Sequence, residues 1–382
     1  MPLIALPPKT PTADINLEKL MQEMSNEPDV RRLRRTLPAE WAAQSGVQLT
    51  WPHAGTDWNY MLEEVTETYI RMAYEIAVRE PLLIVTPEPG AVRALLAKRF
   101  PGTVIDNVRF FECPTNDTWA RDHGFLTVLG TNGAELLDFR FNGWGGKFEA
   151  TFDNEINRHL AEAGDVFTGK YVDCLDFELE GGAIESDGLG TILTTAECLL
   201  NENRRREGDI VPEVNKSQVE MILRDRFGAE RFLWLNHGFL AGDDTDSHID
   251  TLARLCSPSV IAYVKCDDKE DMHYEALKAM EEELQSFRTA DNQPYTLIPL
   301  PMADACYDED GERLPATYAN FLIMNEAVLL PVYNQPYNDE RAVKQLQKAF
   351  PHHEIVTVDC RSLIRQHGSL HCCTMQFPRG VM

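Results

Sequence analysis

The sequence predicts an α/β chain built from a strand–strand–helix–strand unit repeated about five times, in a propeller or solenoid array. Three observations carry that expectation. Short apolar runs of strand length alternate with stretches of helical spacing. The same order recurs about five times, at intervals of roughly 50–75 residues, the fixed-period self-similarity of a propeller or solenoid. Acid, base and thiol side chains fall beside glycines at corresponding places in the units. Such an array is one cooperative domain, because each unit buries its apolar face only against its neighbours. A conventional two-domain α/β chain is the competing architecture.

Residues 1–36 read as an appendage, extended through Pro7–Pro11 and helical and polar from Ile15 to about Leu33. Arg31, Arg32, Arg34 and Arg35 make a basic cluster there, read as a solvated or salt-bridged face. The single catalytic domain is expected over 37–382. Asn59–Val78 carries Met61, Leu62, Val65, Tyr69, Met72 and Ile76 at helical spacing. Strand Leu82–Thr86 is broken by Pro87–Pro89, followed by a helix over 90–99 and a strand over Val104–Cys113. A hairpin joins Phe125–Leu129 to Leu136–Phe141 around Thr131-Asn132-Gly133. After a helix over 152–162 the order repeats: hairpin Ala183–Thr194 turning at Asp187-Gly188, helix 216–226 ending at Gly228, strand 231–235. Further copies comprise 249–265, helix 271–287 and strand 295–300, then hairpin Phe321–Val332, helix 339–349 and strand 354–359. Leu370–Phe377 closes the pattern.

Composition narrows the function classes. Of 382 residues, 36 are Lys or Arg and 61 are Asp or Glu, a formal charge of −25. Nucleic-acid grooves and anionic membrane surfaces need basic patches, so neither is an expected partner. Cationic small molecules are compatible. Nine scattered cysteines with no CxxC pair argue against a disulfide framework or zinc ribbon and for a reducing compartment. The first residues lack a basic region and their apolar run is cut by proline, so no signal peptide is expected, and no stretch has membrane-span length. A cytoplasmic location is expected.

Four segments concentrate chemistry beside glycines: Trp119-Ala120-Arg121-Asp122-His123-Gly124, Glu178-Leu179-Glu180-Gly181-Gly182, the run from Gly242 to Asp250, and Gly368 to Thr374. Glu180 follows Asp122 by 58 residues, His248 follows Glu180 by 68, and Cys372 follows His248 by 124, about two units. Equivalent strand ends in a ring of units converge, so each would deliver one side chain to a common pocket. Taken singly, each has a plain structural reading. Asp122 could pair with Arg121, Gly181-Gly182 could be a tight bend, and Cys372 could be a buried small hydrophobe. Asp243, Asp244 and Asp246 could cap a turn or bind a cation; they fail the calcium-loop pattern, and the zinc-deaminase signature is absent.

Together the groups suit attack on a carbon that already carries positive charge. A guanidinium is planar and cationic, and carboxylates grip its N–H fork. Asp122 and Asp250 would align it and offset its desolvation. Cys372 would attack the central carbon, and His248 would protonate the leaving ammonia and then activate water. Glu180 would orient the imidazole. Ile249 lies between His248 and Asp250, so a strand would point both to one face. No metal and no cofactor are expected.

These residues carry a resemblance. With Leu37-Pro38-Ala39-Glu40-Trp41, Trp51-Pro52-His53, the run from Trp119, Phe141-Asn142-Gly143-Trp144-Gly145, the Glu180-Gly-Gly run, the segment ending at Asp250 and His371-Cys372, the sequence resembles the agmatine deiminase and bacterial-type (Porphyromonas-type) peptidylarginine deiminase family of the guanidino-group-modifying, or pentein, superfamily. The resemblance covers about residues 37–378. It implies the five-bladed α/β propeller with pseudo-fivefold ββαβ repeats, Asp122 and Asp250 on the guanidinium, Glu180 and His248 as the acid/base pair, Cys372 as nucleophile, and a homodimer. Phe125 replaces a usual Pro, Ser247 a usual Gly, and His367-Gly368-Ser369 a usual Gly-Gly-Asn. Cys373 competes with Cys372 for the pocket, since adjacent strand residues face opposite ways.

Among guanidines, free arginine would need a cation for its carboxylate, with Arg140 or Lys147 conceivable. Agmatine would instead use acidic or aromatic neighbours such as Trp119, Trp144 and the Asp243/Asp244/Asp246 cluster. Agmatine, hydrolysed to N-carbamoylputrescine and ammonia in polyamine metabolism, is the expected substrate, with peptidylarginine or free arginine as alternatives. A propeller that binds ligand without turnover and a metal-dependent hydrolase using the Asp/His run are readings from other classes.

Overall fold

The computed structural model describes residues 35–204 and 215–382. The helix expected near 15–33 and Arg31, Arg32 and Arg34 lie outside the described residues. The described chain starts with β1 (Arg35–Thr36) and β2 (Gln44–Thr50), then helix α1 (Leu62–Ala77), β3 (Leu82–Thr86), α2 (Pro89–Leu96) and β4 (Val108–Glu112). Hairpin β5 (Leu126–Gly130) and β6 (Gly133–Arg140) leads through α3 (Ile156–Ala163) to β7 (Lys170–Glu178). Next come β8 (Ile184–Ser186), β9 (Thr191–Thr195), α4 (Lys216–Phe227) and β10 (Arg231–Leu235). They are followed by β11 (Ala253–Ser257), β12 (Val260–Lys265), α5 (Tyr274–Ser286) and β13 (Thr296–Pro301). A two-stranded ribbon, β14 (Cys306–Tyr307) with β15 (Arg313–Leu314), precedes β16 (Leu322–Ile323), β17 (Ala327–Val332), α6 (Pro336–Ala349), β18 (Glu354–Asp359) and β19 (Thr374–Pro378).

Five mixed sheets share one pairing rule: an antiparallel pair, then a parallel neighbour reached through a helix. β5–β6, β8–β9, β11–β12 and β16–β17 are the antiparallel pairs, and β7, β10, β13 and β18 are their parallel partners. In the fifth sheet the antiparallel partner of β2 is β19, drawn from far along the chain, while β3 and β4 continue in parallel. β3, buried throughout, shows how the layers are used. Leu82 and Ile84 enter one apolar cluster with Val47, Tyr69 and Val328; Leu83 and Val85 enter a second with Phe125 and Phe377. Alternation along the strand thus feeds both faces, as a sheet covered on both sides requires. No helix among the described residues is long and apolar enough to cross a membrane.

Most expected elements are present within a few residues, and the exceptions have local causes. β2 (QSGVQLT) and β7 (KYVDCLDFE) were absent from the expected pattern. β2 is central yet buries Gln44, Gln48 and Thr50, and β7 lies at a sheet edge with Asp173, Asp176 and Glu178 interrupting its apolar residues. The strand expected from Val104 starts only at Val108. Pro101, with φ −57°, begins the helical turn Gly102–Ile105 instead. α4 fits its expectation closely, with a capping box between Asn215 and Gln218 and Gly228 left-handed at its end.

Phe377 on β19 is fully enclosed, its ring 4.6 Å from that of Phe167. Phe377→Ala should destabilise the fold by about 3–5 kcal/mol. The measurement is the urea midpoint, which should fall while the slope of the transition stays unchanged.

Candidate active site

A short turn stands immediately before the first strand of each antiparallel pair, and these turns carry the polar side chains. Ala120–His123 precedes β5, Gly181–Ala183 precedes β8, Ile249–Leu252 precedes β11 and His371–Cys373 precedes β19. The segment Thr317–Asn320 occupies the same place before β16. They deliver Asp122, Glu180, His248 with Asp250, Cys372, and Asn320, all buried.

The geometry ties these groups into one cluster. Asp122 accepts from Trp144 Nε1 at 3.0 Å and from the Gly182 amide at 3.0 Å, and its Oδ1 lies 3.7 Å from His248 Nδ1. Cys372 Sγ is 3.9 Å from Asp250 Oδ2. Glu180 Oε1 receives Arg204 Nε at 2.8 Å. Asp250 Oδ1 and Glu180 Oε2 are buried without a hydrogen-bond partner, and the enclosed His248 ring has the Cys198 thiol beside it and Asp122 at 3.7 Å. Burying such groups unpaired costs about 1–3 kcal/mol each, which marks them as poised for something that enters. Asp122, Cys372, Trp119 and Trp144 line a cavity with Asp117, Phe148, Asp244, Thr245, His367 and Gly368. His248, Asp250 and Glu180 do not line it and stand enclosed beside those that do.

Two local expectations are corrected. His248 and Asp250 are not on a strand: His248 caps a helical turn with φ −52° and ψ 138°, and Asp250 is in its first turn. Both still reach the cluster, from different directions. Cys372 and Cys373 likewise sit in a 3₁₀ turn, where successive side chains diverge by about 120° rather than alternating. Cys372 lines the cavity, whereas Cys373 meets the hydroxyl of Tyr69 in the core.

The pairing of Arg121 with Asp122 is also replaced. Arg121 Nη1 instead lies 3.7 Å from Met375 Sδ. Gly181-Gly182 is more than a bend: a Cβ on Gly182 would stand 2.6 Å from His248 Nδ1, 2.9 Å from Asp122 Oδ1 and 3.2 Å from Asp250 Oδ2. The three aspartates after Gly242 divide their work. Asp243 caps its own turn through Thr245 and Ser247, Asp246 binds Arg204, Lys147 and Asn203, and only Asp244 faces the cavity. Ser247 and His367 have φ of 65°, which explains why glycine suits both places. Phe125 belongs to the core, edge-on to Phe167 and Tyr171, and does not line this cavity.

Four participants were not assigned from the sequence. Asn320 places Nδ2 3.3 Å from Cys372 Sγ and its Oδ1 accepts the His371 amide at 2.9 Å. Its position before β16, matching the other four turns, is the signal that could have found it. Behind Asp250, His371 Nδ1 lies 2.7 Å from Oδ2 and its Nε2 lies 2.8 Å from Glu40 Oε2. Arg254, with no exposure, holds Glu40 at 2.6 Å and also Glu185.

Charge sets the proton positions. Burial lifts Asp122 to about 6, with Asp250 and Glu180 adding to it against the pull of His248. Burial acts on Asp250 in the same sense, but the hydrogen bond and charge of His371 outweigh it and hold Asp250 below its usual value. His248 is raised well above 6.5: burial works against protonation, and Asp122, Cys198 and Glu180 overcome it. Cys372 is raised well above an ordinary thiol by burial and then by Asp250 and Asp122. Glu180, Cys198 and His248 could hold a metal ion, their ligand atoms lying within 4.8 Å of one another.

The family model described as Porphyromonas-type peptidyl-arginine deiminase matches residues 36–378. The chain belongs to that family. Among solved structures, a Porphyromonas gingivalis protein provisionally named an arginine deiminase is 48% identical, with a TM-score of 0.84 over 91% of this chain and all of that one. An agmatine deiminase from C. jejuni with substrate bound is 39% identical, with a TM-score of 0.82 over 91% of this chain and 97% of that one. A Shewanella protein provisionally named an agmatine deiminase is 35% identical, covering 90% of this chain and 94% of its own. As a peptidyl-arginine deiminase family member, the chain keeps a glycine where its acid, base and guanidinium candidates meet.

Gly182→Ala should leave the circular dichroism spectrum native but lower kcat/KM by about 100-fold, since displacement of reacting groups by an ångström has that effect.

Proposed function

We propose that the protein is an agmatine deiminase, hydrolysing agmatine to N-carbamoylputrescine and ammonia. The observation that carries the substrate choice is the cavity lining. Asp117, Asp122 and Asp244 stand there with Trp119, Trp144 and Phe148, and among the described residues no lysine or arginine lines it. A substrate cationic at both ends suits those walls, whereas the carboxylate of free arginine would meet acids. Lys147 is engaged with Asp246 and the Asp244 carbonyl, and neither it nor Arg140 lines the cavity. Agmatine deiminases among the relatives support the same reading. The provisional name of the P. gingivalis relative favours arginine as the second reading.

The five mixed sheets are read as blades of a propeller, each supplying one turn to the centre. Asp122 and Asp250 take the guanidinium, Trp144 holding Asp122 in place. Burial and the two carboxylates keep the thiol of Cys372 protonated until the cation neutralises their field; it then releases its proton to solvent and attacks the central carbon as thiolate. The C–N bond to one NH₂ breaks as protonated His248 donates to it, releasing ammonia and leaving an amidino group on sulfur. Neutral His248 then takes one proton from water as its oxygen adds to that carbon; the C–S bond breaks with its electron pair on sulfur, and the hydroxyl proton passes to that thiolate, freeing the carbamoyl product and restoring the thiol. Glu180, anchored by Arg204, supports the charged imidazole.

Ammonia release should be greatest with agmatine and at least about tenfold lower in kcat/KM with arginine or a peptidylarginine, a difference of some 1.4 kcal/mol. Release from neither agmatine nor the other two would refute the enzyme reading. Because Asp122 titrates near 6 and binds a cation only as carboxylate, kcat/KM should fall with pH below about 6, and Asp122→Asn should lower it at every pH. Chloroacetamidine should label Cys372 stoichiometrically and faster than the uncharged iodoacetamide. Cys372→Ala should abolish labelling and turnover, while Cys373→Ala should retain both; the reverse pattern would reassign the nucleophile.

A further inference from the structure

We propose that Glu180, Cys198 and His248 form a site for a thiophilic divalent cation of the zinc type, whose occupancy switches off the deiminase. Cys198 plays no part in the chemistry above, yet it sits fully enclosed in the one-turn helix Ala196–Leu199, which Thr195 caps, with its sulfur turned to His248. The three side chains offer a carboxylate oxygen, a thiolate and an imidazole nitrogen, all within 4.8 Å of one another. Structural and catalytic zinc sites use these donors at about 2.0–2.3 Å, so each pair needs to draw in by only about an ångström.

The second observation is independent of spacing. Oε2 of Glu180 is buried and lacks a hydrogen-bond partner, and the wholly buried His248 ring has no oxygen or nitrogen within hydrogen-bond distance. Arg204 engages the other oxygen of Glu180, so that carboxylate is already oriented with Oε2 free for a metal. Asp122 stands 3.7 Å from His248 Nδ1, the carboxylate backing that metal-bound histidines commonly have on their second nitrogen. A thiolate and a carboxylate supply two negative charges for the dication, the thiol proton leaving as the metal enters. Three protein ligands leave a fourth position open.

Metal binding does not depend on the proposed reaction, whereas inhibition rests on that reading, because a metal on His248 and Glu180 removes the proton donor. The test is therefore spectroscopic first. Metal-free protein given one equivalent of Co²⁺ should retain one ion per chain after gel filtration and show thiolate-to-cobalt charge-transfer absorption. Cys372→Ala should keep the band; Cys198→Ser should lose it, and Glu180→Gln should weaken retention at least tenfold. With active protein, Zn²⁺ should abolish ammonia release, a chelator should restore it, and agmatine should protect. No retained metal in the wild type, or a band lost in Cys372→Ala, would overturn the proposal. The Cys372→Ala arm decides the matter even where Cys198→Ser does not fold. Absence of turnover alongside an intact cobalt band would refute the activity instead of the site.

Discussion

Negative charge enclosed away from water is the constraint around which this molecule is organised. Asp122, Asp250, Glu180, Glu185 and Glu40 are all buried, and ionised groups in such surroundings persist only when paired. Two arginines do most of that pairing from opposite sides: Arg204 on Glu180, Arg254 between Glu40 and Glu185. His371 links Glu40 to Asp250. Arg121 is buried among the same acids, near Glu40, Asp250 and Glu185, and His248 stands 3.7 Å from Asp122. Between Asp122 and Asp250, beside a thiol, two carboxylates converge, and on the proposed chemistry that convergence is what prefers a cation.

Unequal partners explain why two chemically identical carboxylates behave differently. Asp250 has His371 behind it and stays ionised, while Asp122 has an indole and an amide as donors and titrates near 6. Trp144 reaches Asp122 from a strained turn, with φ 55° between Gly143 and Gly145, and Asn142 ties that turn through the Gly145 amide at 2.7 Å. The glycines around it make the conformation feasible, and the indole contact gives it a purpose.

How much was legible in the sequence follows the same physics. Asp122, Glu180, His248 and Cys372 stand among glycines at regular separations, and both features leave a trace in one dimension. The helices α1 and α4 and the strands β3 and β10 are written in period and caps. Asn320 carries no charge and lies in an apolar stretch, so only its place in the repeat marks it. Glu40 and Arg254 are separated by 214 positions, and nothing local predicts that they meet. The turn geometry at His248–Asp250 was missed because alternation and a single helical turn look alike over three residues. Cys198 was invisible for a related reason, since a thiol in Ala-Glu-Cys-Leu-Leu reads as core.

The sheet that joins β19 to β2 places Thr374 against Leu49, 325 positions apart, directly after the turn that carries Cys372. During synthesis at about 5–20 residues per second, β2 therefore waits on the order of 20–60 seconds for that neighbour. Throughout the interval a nascent chain exposes one side of a strand whose hydrogen-bonding edge invites wrong partners. Completion of that sheet and arrival of the proposed nucleophile are one event on the ribosome's timetable, so on that chemistry a half-made chain has no means of premature turnover.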